Sequence, residues 1–206
     1  MSDVVMNQKK YKRLEKQVDF ILEVNRLKYI FRQSYIDTDG RRENDAEHSW
    51  HIALMAMFLS EHFSGSENID LLRVIKMLLI HDIVEIDAGD TYCYDEDGMK
   101  DKEARETAAA KRIFSLLPAD QYAEMWGLWR EFEDMLSLES RMANALDRLQ
   151  PLLLHKMTDG MSWREHHVNS EQVYGRQMVT KGDSETICQL ITDIIESGIA
   201  SGILEK

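Results

Sequence analysis

Proline and cysteine are almost missing from this chain: two of each in 206 residues, alongside ten glycines. The two cysteines, Cys93 and Cys188, exclude a disulfide framework and fit a reducing compartment. Few breakers, with Met, Leu, Ala, Glu, Arg and Lys in plenty, favour helix over sheet. No apolar run approaches the roughly 18 residues of a membrane span. The first stretch, MSDVVMNQKKYKRLEKQ, lacks the apolar core of a secretory signal. Positive charge is in deficit, 25 Lys and Arg against 37 Asp and Glu, for a formal net charge of −12. That balance excludes general binding to nucleic-acid polymers or anionic membranes. It leaves open a small phosphorylated ligand gripped by local arginines. The expectation is a soluble cytoplasmic protein.

Helical periodicity runs along most of the chain, and no segment alternates in the manner of a strand. Val18 to Phe31 places Val18, Ile21, Leu22, Val24, Leu27, Ile30 and Phe31 on one stripe, with Arg32 at its C-terminal end. A turn follows at Asp37–Gly40. The next helix starts at Asn44-Asp45, with Glu47 in its first turn, and runs to about Phe63. Another runs from Leu71 to about Ile83, and its end carries His81-Asp82. Residues 88–98 are polar and turn-rich, a loop. Further helices cover Lys102–Leu117, Gln121–Leu138, Glu139–Met157, His166–Met178 and Ser184–Ile199. Pro151 inside the pattern predicts a kink or a junction of two helices. The layout is all-α, a bundle of roughly eight or nine helices.

Chemistry concentrates in Leu79–Asp90, LIHDIVEIDAGD. An apolar run leads straight into His81-Asp82, and Glu85, Asp87 and Asp90 follow. Adjacent His and Asp at the end of such a segment are expensive to bury without a partner. A divalent metal suits both. His48, near the start of its helix, and Asp147, among hydrophobic neighbours in NALDRLQ, are the candidates to complete the set. The rival reading makes His81 a satisfied core histidine and Asp147 a surface ion pair with Arg148 or Arg141.

The order H…HD…D on helices resembles the signature of HD-domain metal-dependent phosphohydrolases. The branch it resembles contains the bacterial 5′-deoxynucleotidase and related small HD-domain proteins. Asn25–Lys28 leading to Arg32, Arg41–Ser49, His81–Asp90 and Ala145–Arg148 carry that resemblance, over roughly residues 18–155. It implies one HD domain over 1–206, a helical bundle whose core spans about 18–155 with C-terminal helices 160–206 packed on it. It implies that His48, His81, Asp82 and Asp147 bind one divalent ion: manganese, cobalt, iron, zinc or magnesium. It also implies that Glu85 and Asp90 are the catalytic carboxylates, one activating water and the other protonating the leaving oxygen. Arg32 matches a phosphate-contacting arginine, Arg41 a further family arginine, and a homodimer is implied as well. The family enzyme has Trp after the first arginine, where it helps select deoxyribose; here the residue is Gln33.

The expected activity is removal of phosphate from a small phosphorylated substrate, a nucleoside 5′-monophosphate foremost. Cleavage of a nucleotide di- or triphosphate bond is one alternative, and a non-catalytic module that keeps the metal for folding or sensing is another. His51, i+3 from His48, reads as a surface histidine or one standing behind the ligands; His62, His155, His166 and His167 read as ordinary histidines. Trp126, Trp129 and Trp163 read as core or dimer contacts. Glu103, Arg105 and Glu106 read as a charged helix face.

Overall fold

The computed structural model describes residues 2–178 and 181–206, with side chains from residue 8 onward. Helices dominate: α1 (Ser2–Val24), α2 (Asp45–Leu59), α3 (Leu71–Ile80), α4 (Glu85–Ala88), α5 (Lys102–Phe114), α6 (Ala119–Asp134), α7 (Leu138–Met157), α8 (Met161–Glu165), α9 (Ser170–Gln177) and α10 (Glu185–Ala200). The all-α expectation holds. One short antiparallel hairpin departs from it, β1 (Phe31–Tyr35) with β2 (Arg42–Asn44), pairing Phe31 with Asn44 and Tyr35 with Arg42 across an irregular register.

That hairpin corrects the first predicted helix. α1 ends at Val24, a 3₁₀ turn covers Asn25–Tyr29, and Arg32 and Gln33 sit on β1 rather than at a helix end. The stripe is corrected too. Ile21 and Leu22 are exposed, whereas Leu27 is buried and Phe20 and Val24 pack on the core. Ser-, Asn- and Asp-type caps set the other boundaries. Asn44 accepts from the Glu47 N–H while the Glu47 carboxylate accepts from the Asn44 N–H, a reciprocal capping box that starts α2. Asp70, Ser137, Asn169 and Ser184 cap α3, α7, α9 and α10. α7 runs through Pro151 without ending there. The helix predicted over 166–178 starts later, as α9 at Ser170, after a break that includes His167 at φ 53°; the short α8 precedes that break.

The core is continuous. Ile52, Val74, Met77, Leu78, Ile113, Phe114, Trp129, Leu146 and Leu149 are sealed from solvent, drawn from α2, α3, α5, α6 and α7. α2, α3 and α7 pack on one another at its centre. Trp129 and Trp163 are core residues. Polar side chains that these helices turn inward share this dry environment, and they form the site.

Candidate metal centre

Three elements supply the centre. His48 lies in the first turn of α2, His81 and Asp82 on the 3₁₀ turn that follows α3, and Asp147 on α7. Ligand atoms of His48, His81 and Asp147 lie within 4.8 Å of one another. His48 Nε2 is 3.0 Å and His81 Nε2 3.6 Å from Asp147 Oδ1, and His81 Nε2 is 3.0 Å from Asp82 Oδ1. Both imidazoles are buried. His81 Nε2 has no well-aligned hydrogen bond although it faces two carboxylates. A cation in this space would satisfy that nitrogen and both acids together, so the donor set fits a divalent ion. Asp82 stands at the edge of the group, its Oδ2 2.7 Å from Arg32 Nη1 and 3.9 Å from His48 Nε2.

Without a cation the surrounding acids raise the pKa of both histidines. Burial opposes the charge on His81, but Asp82 and Asp147 overcome it and raise the pKa to about 10. Burial and Arg32 likewise oppose protonation of His48, and its hydrogen bond to Asp147 with the nearby Glu43 and Asp82 carboxylates outweigh them. Against its own burial, Asp147 is held well below the usual carboxylate range by its hydrogen bond to His48 and by the nearby His81. Asp82 is lowered too, by His81 and Arg32 against burial.

A buried chain behind His48 went unread in the sequence. His48 Nδ1 is 3.0 Å from Gln150 Oε1, an acceptor, so Nδ1 carries a proton. The Gln150 amide donates to Glu43 Oε1 at 2.6 Å and lies 3.1 Å from His51 Nδ1. Fixing the proton on Nδ1 leaves Nε2 as the ligand atom. His51, read as a surface histidine or one standing behind the ligands, takes the latter place at the end of this chain. Gln150 is one helical turn from Asp147 on the same inward face, the single sequence cue it offered.

The second carboxylate group comprises Asp45, Glu85 and Asp90, which also approach within 4.8 Å. Burial, then Asp82 and the other acids, push Glu85 well above its ordinary pKa. Burial also raises Asp90, and burial with Asp82 raises Asp45 to about 7. Glu85 and Asp90 are thus brought together as expected, although a 3₁₀ turn rather than continuous helix connects His81 to Glu85. Asp45, read only as a cap, is fully buried beside them. Its Oδ1 is 3.5 Å from Arg32 Nη1.

Arg32 points from β1 into the centre, reaching Asp82, Asp45 and Asp147. Gln33 lines the adjoining pocket with Arg32 and is hydrogen-bonded to Arg42. Arg41 is placed elsewhere: it is half-exposed and paired with Glu47 at 3.0 Å, away from the cavity walls. The charged-face reading of α5 is corrected as well. Arg105 donates to the carbonyls of Ala88 and Gly98 and to Thr91 Oγ1, tying down the loop that carries Asp90. Glu106 is buried against Lys102 at 2.5 Å. A cavity of about 240 Å³ opens onto His81, Asp82, Glu85, Asp90 and Asp147.

Residues 24–187 match the HD domain family, and the chain belongs to it. Among solved structures it is similar to one described as a predicted metal-dependent phosphohydrolase from Magnetospirillum magnetotacticum MS-1. The two are 45% identical, the match covers 95% of this chain and 97% of that one, and the TM-score is 0.88. Among curated proteins it is 26% identical over 178 residues to the human 5′-deoxynucleotidase HDDC2, covering 86% of this chain and 83% of the relative. The mouse 5′-deoxynucleotidase HDDC2 is 30% identical over 135 residues, 65% of each chain.

Proposed function

We propose that this protein is a metal-dependent phosphohydrolase that releases phosphate from a nucleoside 5′-monophosphate. The observation that carries the reading is convergence: His81, Asp82, Asp147, Glu85 and Asp90 line one cavity, and His48 stands behind it with its ligand atom within 4.8 Å of those of His81 and Asp147. The nucleotide is taken from the named activity of the curated relatives. His48, His81, Asp82 and Asp147 hold the ion. When bound, it supplies Lewis acidity to the phosphate and to water. Arg32 offers a guanidinium fork to phosphate oxygens from the β1 side. Burial and the neighbouring acids raise both Glu85 and Asp90 above their ordinary values, and between them these carboxylates orient the water and protonate the leaving oxygen.

We read the protein as cytoplasmic and as a homodimer. No helix among the described residues is long and apolar enough to cross a membrane. Trp50, Leu54, Met57 and Phe58 form an exposed apolar stripe along α2, and Leu14, Val18, Ile21 and Leu22 form another along α1. Both suit a second copy.

The activity is tested by phosphate release from deoxynucleoside monophosphates with manganese or cobalt added. Asp82→Ala is expected to abolish it; undiminished turnover in that variant overturns the assignment.

A further inference from the structure

The cations around the cavity are not equivalent. Arg32 is bonded to Asp82, and Lys102 to Glu106. Arg148 and Arg176 are different. Among the described residues no carboxylate lies within 4.0 Å of the Arg148 guanidinium. Its contacts are the Arg176 carbonyl at 3.4 Å and Met135 Sδ at 3.6 Å. Arg176 reaches an acid only at 4.0 Å, and that acid is Asp147, already engaged with His48. Both arginines are partly or mostly withdrawn from solvent. Two like charges near each other, one with no carboxylate among the described residues and the other with only a shared, distant one, are unfavourable until an anion arrives.

Their position says which anion. Arg148 and Arg176 line the 240 Å³ cavity at the metal ligands. They also line an outer cavity of about 510 Å³ bounded by Tyr94, Glu96 and Gln172, which contains none of the ligand residues. Cys93 and Met99 border both, so the two spaces adjoin. Glu96, the acid of the outer space, is exposed and paired with neither arginine. The pair is held firmly: the Gln177 amide donates to the Arg148 carbonyl at 2.9 Å, joining α9 to α7. A substrate whose scissile phosphate lies at the ligand end therefore extends past these two forks.

We infer that Arg148 and Arg176 form a second anion subsite, and that the preferred substrate is a nucleotide bearing another phosphate away from the scissile one. This rests on the phosphohydrolase reading above and replaces its monophosphate with a nucleotide that carries a second phosphate. The scissile end has Arg32 of its own, so the additional pair is explained by additional charge.

The test compares deoxyadenosine 5′-monophosphate with deoxyadenosine 3′,5′-bisphosphate and deoxyadenosine 5′-diphosphate as manganese-dependent substrates. The expected result is that kcat/KM for one doubly phosphorylated probe exceeds that for the monophosphate by about tenfold or more. Arg176→Gln and Arg148→Gln should each bring that ratio to within about twofold of unity, and Arg176→Lys should restore part of it. Equal kcat/KM for all three probes in the wild type overturns the subsite. So does a ratio untouched by Arg176→Gln, which would assign the arginines to the scissile phosphate. If no probe releases phosphate, the phosphohydrolase reading fails instead. Calorimetric binding of pyrophosphate then decides the subsite: about tenfold weaker binding in Arg176→Gln supports it, and equal binding overturns it.

Discussion

Gln150 makes the sharpest prediction among single residues. Its side chain is neutral and fully buried, yet it sets which nitrogen of His48 faces the ion. Gln150→Leu keeps the volume and removes the acceptor, so metal affinity should fall by about 10–100-fold in a manganese or zinc titration. Unchanged affinity would show that packing alone orients the ring. Glu85→Gln is expected to cut kcat by about 10²–10⁴ with the metal content of the purified protein unchanged. Sequence reading reached His48, His81, Asp82 and Asp147 because residue type and order carried a family resemblance. Glu43, Asp45 and Gln150 were out of reach. Gln150 meets Glu43 across 107 residues, and no local pattern announces such a contact. Arg41 is placed away from the cavity for a local reason: Glu47, six residues on in the first turn of α2, pairs with it.

At the scale of elements, the caps were readable and the hairpin was not. Asn44 and Glu47 form the predicted cap, whereas Phe31–Tyr35 is too short to display alternation and follows directly on a helical stripe. Tertiary pairing with β2 overrides that local pattern, and it is what turns Arg32 inward. Asn44→Ala should destabilise the protein by about 1 kcal/mol in urea denaturation, since the capping side chain is lost. His48 lies within the same first turn, so the variant should also lower metal affinity.

For the whole molecule, pH is the clearest probe. Asp45 titrates at about 7 against an ordinary 3.8, and His81 at about 10 against 6.5. In both cases the folded state binds the proton more tightly than the unfolded chain. Stability is therefore full at the lower value and lost as pH rises, over roughly 4–7 for Asp45 and 6.5–10 for His81. Asp82 and Asp147, whose pKa values are lowered, act oppositely below the ordinary carboxylate range, and His155, lowered by burial to about 3, offsets part of the loss over roughly 3–6.5. Metal-free protein in chelator should thus melt lower at pH 9 than at pH 5, by about 5 °C or more. Saturating manganese should flatten the difference, because the ion replaces those protons. Phe58→Asp, in the exposed α2 stripe, should yield a monomer by light scattering.

His48 and Asp147 are 99 residues apart in the chain and 3.0 Å apart in space. An ion held between them acts as a removable cross-link closing most of the central chain into a loop. Its presence is therefore a record of folding: a molecule in which α7 has parted from α2 has nowhere to keep it. The fraction of a preparation carrying metal counts the chains that are correctly assembled. Starving the protein of metal should also make it easier to digest at sites far from the centre, since protection by the ion extends across the whole loop.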